Sequence, residues 1–362
     1  MFVAIRDIRF AKGRFTLMGS VVLLITLLIV LLSGLTSGLA AQSTSAVKEL
    51  PATHVVFGGS GSEPPTESFA DSSVTERQRD VWSSTEGVNE VTPLGISTAR
   101  VATPDGAETT VTVFGLPPRA QAAPNGLTEH SVVISRSLAD EEGLSVGEQL
   151  STGAGELRIE RQAPSSFYSH TPVVWTSLDT WHELRTARAP GTEAPLATVL
   201  AVRATDGADL AAADSTADTV STTLGGSLNA IGSFSSENGS LLMMQAFLYV
   251  ISALVVGAFL TVWTIQRSGD IAVLKALGGS TRYLLRDALT QSLVVLVLGA
   301  GLGGAAGVLL GWFASGVVPF ELTLSTTLLP VLGMVVLGMA GAALAVRRIT
   351  SVDPLTALGG GR

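Results

Sequence analysis

Cysteine is absent from all 362 residues. That excludes a disulfide framework, a zinc–thiolate site and a thiol nucleophile. Charge is scarce as well: Asp, Glu, Lys and Arg make up 14% of the chain and hydrophobic residues 46%, where soluble domains carry roughly a quarter charged. Catalytic motifs are missing too. There is no Gly-x-x-x-x-Gly-Lys-Ser/Thr loop, so the chain has no phosphate cradle for ATP of that kind. His182-Glu183 has no histidine three residues beyond the glutamate, which rules out the helical zinc-protease pattern. No Gly-x-Ser-x-Gly elbow occurs, and His54, His130, His170 and His182 lack metal-ligand spacing.

What the chain does have is four long apolar runs. They cover 17–40, 241–265, 288–318 and 328–346, each able to cross a bilayer core ~30 Å thick. None contains Asp, Glu, Lys, Arg or His; Glu321 falls in the turn between the last two. An ionisable group at mid-bilayer costs at least about 2.5–3.5 kcal/mol, so ion-coupled transporters keep such groups for function. Their absence argues against ion coupling and places the energy source elsewhere.

The net charge of −8 conceals two opposite parts. Residues 41–240 hold 11 basic and 25 acidic residues, whereas 1–16, 266–287 and 347–362 together hold 11 basic and 4 acidic. The positive-inside rule then puts both termini and the 266–287 loop in the cytoplasm and the acidic 41–240 domain outside. The first run exceeds the 7–15 residues of a signal-peptide core, so it is read as a retained anchor, although Gly38-Leu39-Ala40 resembles a cleavage site. Residues 1–16 alternate basic and apolar positions, as an amphipathic segment on the inner surface would.

The 41–240 domain reads as mixed α/β. Strands are predicted at 53–57, 173–176 and 198–203, with a hairpin of 95–103 and 108–114 around Pro104-Asp105-Gly106. A further strand pair turns at 153–155. Helices are predicted at 135–142, ending at Gly143, and at 177–188 and 208–224. The fold class is therefore a four-helix membrane protein with a mixed α/β extracytoplasmic domain between its first and second helices.

Two features of the spans carry function. Gly299, Gly303, Gly307 and Gly311 recur every four residues, and Gly34 and Gly38 repeat the spacing, which suits close packing of helices within a bundle or a dimer. The loop QRSGDIAVLKALGGSTRYLLR, 266–286, sets Ile271, Leu274 and Leu277 on one stripe of a short helix ended by Gly278-Gly279. An apolar stripe outside the membrane needs a partner to cover it.

Taken together, one span, a large domain and three further spans joined by SGDIAVLKALGGS resemble a permease of the MacB/FtsX family of ABC transporters. Asp270 stands before Leu274-Lys275-Ala276-Leu277-Gly278 as an acidic residue does in that family's motif. The basic start, Leu138-Ala139 with Gly143–Gly147, and Val352–Leu358 fit as well. The resemblance implies a homodimer docked on two ATPase subunits, with Asp270, Ile271, Leu274, Lys275, Leu277 and Gly278 as the coupling contact and ATP hydrolysed on the partner. It implies no intrinsic cofactor, no catalytic residue and no nucleic-acid partner.

Within the family, the chain is most similar to the short heme-exporter permeases. This implies heme as a transported ligand, taken laterally from membrane lipid near the outer leaflet. Candidate contacts follow where the domain meets the membrane: Glu237 as a possible iron ligand, then Met243, Met244 and Tyr249, with Tyr168 and His170 as an alternative pair. A carboxylate or phenolate can ligate ferric iron. Glu237 also suits a helix N-terminal cap, and the methionines suit packing. A regulator of a cell-wall hydrolase, or an exporter of lipoprotein, peptide or macrolide, is the alternative that the same resemblance allows.

Overall fold

The computed structural model describes residues 12–59, 64–188, 195–266 and 281–350. The coupling residues Asp270 to Gly278 lie outside the described residues. Four helices are long and apolar enough to cross a membrane: Lys12–Lys48, Gly232–Gln266, Thr281–Ala314 and Leu324–Thr350. The chain divides into two compact units, Met1–Gly38 with Gly239–Arg362, and Leu39–Asn238.

In the helical unit, every helix contributes to one buried cluster. Met18 and Val22 come from the first, Val256 from the second, Val295, Leu296 and Ala300 from the third, and Met334 and Ala342 from the fourth. The glycine stripe is used inside this bundle. A methyl group added at Gly299 would strike Val22 and the Gly19 carbonyl, at Gly303 the Leu23 carbonyl, and at Gly307 Val30. The third helix therefore lies backbone-close against the first, where dispersion is the main attraction available in lipid. Farther along, Gly311 and Gly34 make room for the ring of Phe320, and the Pro319 carbonyl sits against Gly38. Glu321 closes this corner: its carboxylate accepts from Ser37 Oγ at 2.6 Å and its N–H donates to the Gly34 carbonyl at 3.1 Å.

The inserted unit is built on one ten-stranded sheet. Its strands are β1 (His54–Gly58), β2 (Val88–Ala102), β3 (Glu108–Leu116), β4 (Ser131–Ser135), β5 (Gln149–Thr152), β6 (Gly155–Ala163), β7 (Phe167–Tyr168), β8 (Thr171–Ser177), β9 (Val199–Ala204) and β10 (Thr219–Thr223). They run in the order β10-β1-β9-β2-β3-β8-β4-β6-β5, with β7 paired to β8. The pairs β3–β8 and β4–β6 are parallel and the rest antiparallel. The long β2 pairs with β9 through its first half and with β3 through its second.

The hairpin expected around Pro104–Gly106 forms, with Gly106 at φ +87°. The helix at Arg136–Glu142 ends on Gly143 in the left-handed conformation. The helix expected over 208–224 is corrected. It spans only Leu210–Ala217, then Asp218 turns to φ +55° and Thr219–Thr223 joins the sheet as β10. The β-branched run Thr-Val-Ser-Thr-Thr prefers a pleated environment, and Asp214 draws it in by accepting from Thr219 Oγ1 and from the N–H and hydroxyl of Ser221.

The first long helix does not stop at 40. It spans 37 residues, about 55 Å at 1.5 Å per residue, and its last turns enter the inserted unit. There Ala46, Val47 and Leu50 share a core with Phe57, Phe69, Leu94, Phe114, Trp175, Val199 and Ile231. Gln42 to Ser45 look like a loop start in a hydropathy reading, yet Ser43 and Thr44 are buried. Thr44 returns its hydroxyl to the Ala40 carbonyl at 2.7 Å, a bond compatible with helix.

Glycine packing in the bundle gives a direct test. Gly303→Leu should lower the thermal midpoint of the detergent-solubilised protein through overpacking worth about 1–3 kcal/mol. Gly301→Ala, which meets nothing within 4 Å, should leave it unchanged.

Candidate functional site

Three elements of the inserted unit converge at one place. Between β7 and β8, Tyr168 pairs with Thr171, leaving Ser169 and His170 as a two-residue turn. Both carry positive φ, +50° and +66°, the signature of a type I′ hairpin. Left-handed backbone costs a residue with a side chain roughly 1–2 kcal/mol, and such turns normally use Asn-Gly. Here the turn is held from outside. Ser169 N–H donates to the Ser43 carbonyl and His170 N–H to the Gln42 carbonyl, both at 3.0 Å.

Side chains complete the attachment on two helices. Ser169 and Ser233 hydroxyls lie 2.9 Å apart, and Ser45 Oγ accepts from Phe167 N–H at 2.8 Å. Ser166 donates to Glu49 at 3.1 Å. His170 Nε2 lies 2.9 Å from Ser43 Oγ and 2.9 and 3.1 Å from the two Glu237 oxygens. The side chains of His170 and Glu237 are 31% and 42% exposed, so their attraction is screened. The hairpin tip thus bridges the end of the first long helix and the start of the second.

Behind the tip the same hairpin is apolar. The Tyr168 ring meets Phe69 and Phe114 edge-on at centroid distances of 5.9 and 5.8 Å. Burial pushes its phenol well above the usual tyrosine range, so the neutral form dominates and a phenolate is disfavoured there. Tyr168 is an anchor of the tip.

The candidates therefore separate. Glu237 and His170 are brought together across 67 positions of sequence; the sequence reading had treated them as parts of different sets. Tyr168 stands behind them. Met243, Met244 and Tyr249 belong to the helical unit. The two methionines are 62% and 52% exposed, whereas Tyr249 lies against Gly333 of the fourth helix. Ser43, Ser169 and Ser233 were not singled out in the sequence. Serines near a span carry no signal of their own, and Ser-His is not a recognised hairpin turn.

Among the described residues no three His, Cys, Asp or Glu side chains assemble as a metal site. The arrangement instead offers one carboxylate and one imidazole within hydrogen-bond distance of each other. A carboxylate only accepts, so the nitrogen facing it must carry the proton. Nε2–H of His170 donates to Glu237 in this state.

Comparison with known proteins places the chain. Residues 226–354 match the family described as FtsX-like permease C-terminal. Aligned end to end, the chain is 26% identical to a protein named hemin transport system permease protein HrtB from Staphylococcus haemolyticus, over 99% of each chain. Over residues 226–354 the chain thus carries an FtsX-like permease domain, and it resembles ABC transporter permeases of that kind along its whole length. An ABC transporter permease from Mycobacterium bovis is 32% identical over 33% of each chain. The solved periplasmic region of MacB from Actinobacillus actinomycetemcomitans is similar with a TM-score of 0.35 at 11% identity, covering 48% of this chain and 90% of that one.

If Tyr168 anchors the tip, Tyr168→Ala should cost about 3–5 kcal/mol of stability, read as a lower thermal midpoint in detergent. Tyr168→Phe, which keeps the ring, should cost far less.

Proposed function

We propose that this permease exports heme, drawn laterally from the outer leaflet, as a homodimer driven by its ATPase partner. The observation that carries this reading is the end-to-end similarity to a permease named for hemin transport. The site supports it chemically. Glu237 offers a hard oxygen donor suited to ferric iron, at the point where the second long helix enters the inserted unit. The exposed residues Met243, Met244, Phe247, Val250, Ile251 and Leu254 then continue as one apolar stripe at helical spacing, a surface for lipid, a porphyrin or a second copy.

In this reading the acidic inserted domain faces outward and both termini are cytoplasmic, as the charge distribution favours. The 266–286 segment receives the ATPase. Heme is cargo, and the work is done on the partner subunit.

Two measurements test this. Titrating heme into the purified permease in detergent should give a saturable Soret change, weakened at least several-fold in Glu237→Ala. Partitioning identical in both proteins would remove the heme assignment and leave a permease of another cargo. Independently, Leu274→Asp with Leu277→Asp should abolish association with the ATPase and its stimulation. Retained stimulation would show that force enters elsewhere.

A further inference from the structure

The pairing of His170 with Glu237 has a chemical consequence for loading. Both carboxylate oxygens of Glu237 lie within hydrogen-bond distance of one imidazole nitrogen. That nitrogen carries a proton because its partner can only accept, and the lone pair a metal would need is then absent. While the pair is intact, Nε2 has no lone pair to offer, and both Glu237 oxygens are engaged with it, which weakens the carboxylate as a donor to iron.

Resting on the heme reading above, we infer that His170 is an internal competitor for Glu237, a positioning residue that engages the carboxylate until cargo displaces it. Several features fit a displaceable stopper better than a second ligand. The pair is partly exposed on both sides, so solvent screening keeps it weak enough to exchange. Ser43 Oγ, 2.9 Å from the same Nε2, gives the imidazole another acceptor when the carboxylate leaves. The turn itself stays attached through the backbone bonds of Ser169 and His170 to Ser43 and Gln42 and through the Ser169–Ser233 contact. Releasing Glu237 therefore needs a change of side-chain partner and no unfolding of the hairpin. The aromatic packing of Tyr168 behind the tip keeps the imidazole within reach for re-closure.

The alternative, His170 as an iron ligand, gives the opposite sign on removal, so one titration separates them. His170→Gly suits the positive φ at this position, and His170→Asn tolerates it; both keep the turn and delete the imidazole. Heme titration of the full permease in detergent should show both variants binding about two- to five-fold more tightly than wild type, the range set by one partly exposed hydrogen bond, with an unchanged Soret maximum. Glu237→Ala should stay weak with or without the His170 change. Unchanged or weaker binding in the His170 variants, or a shifted Soret maximum, would overturn the inference while leaving the heme reading in place. Absence of saturable binding in wild type would remove both.

Discussion

The two membrane helices that border the inserted domain are each rooted at one end in a single hydrophobic core. Ala46 and Val47 close the first long helix, Leu50 follows it and Ile231 precedes the second, and all four pack in the cluster that holds Phe57, Phe114 and Trp175. Burying such side chains is the dominant stabilising term in folding, about 1.5–3 kcal/mol for each large aliphatic or aromatic group. It fixes where the two helices leave the domain. The positions of Ser43, one turn before Ala46, and of Glu237, shortly after Ile231, follow from that rooting. So does the reach of the β7–β8 tip, whose strand β8 lies in the middle of the same sheet.

The site contrasts with its support. Tyr168, packed among aromatic rings, ties the hairpin to the core, while among the described residues the tip meets both helices through serine hydroxyls, backbone amides and the hydrogen-bonded pair of His170 and Glu237. Apolar contacts of the first kind are not exchanged without loss of fold; polar contacts of the second kind swap partners readily. A left-handed pair of non-glycine residues is tolerated because two helix carbonyls hold it. Strain of this kind persists where surrounding structure over-determines it.

In the helical unit the constraint is different. With no ionisable side chain in the apolar runs, cohesion comes from closeness. The stripe from Gly299 to Gly307 brings the third helix onto the first, and Gly311 with Gly34 accommodates Phe320. Glu321, in the turn before the fourth helix, is held by Ser37 and the Gly34 backbone.

Local pattern determined much of this protein. Four uncharged apolar runs required four spans, because backbone groups in hydrocarbon must bond within their own helix. Alternation around Pro104–Gly106 required a hairpin, and Gly143 a helix end. Glycines four apart announced a packed face, though not which helix it would meet. Where pattern was ambiguous it misled: Thr219–Thr223 was read as helix until β1 supplied a partner strand, since β-propensity expresses itself only against a neighbour. The pairing of His170 with Glu237 was beyond any local signal. It depends on a sheet that threads β8 between β3 and β4 and on a core that takes in residues at the ends of two helices, and contacts between residues so distant in sequence exist only once that topology has closed.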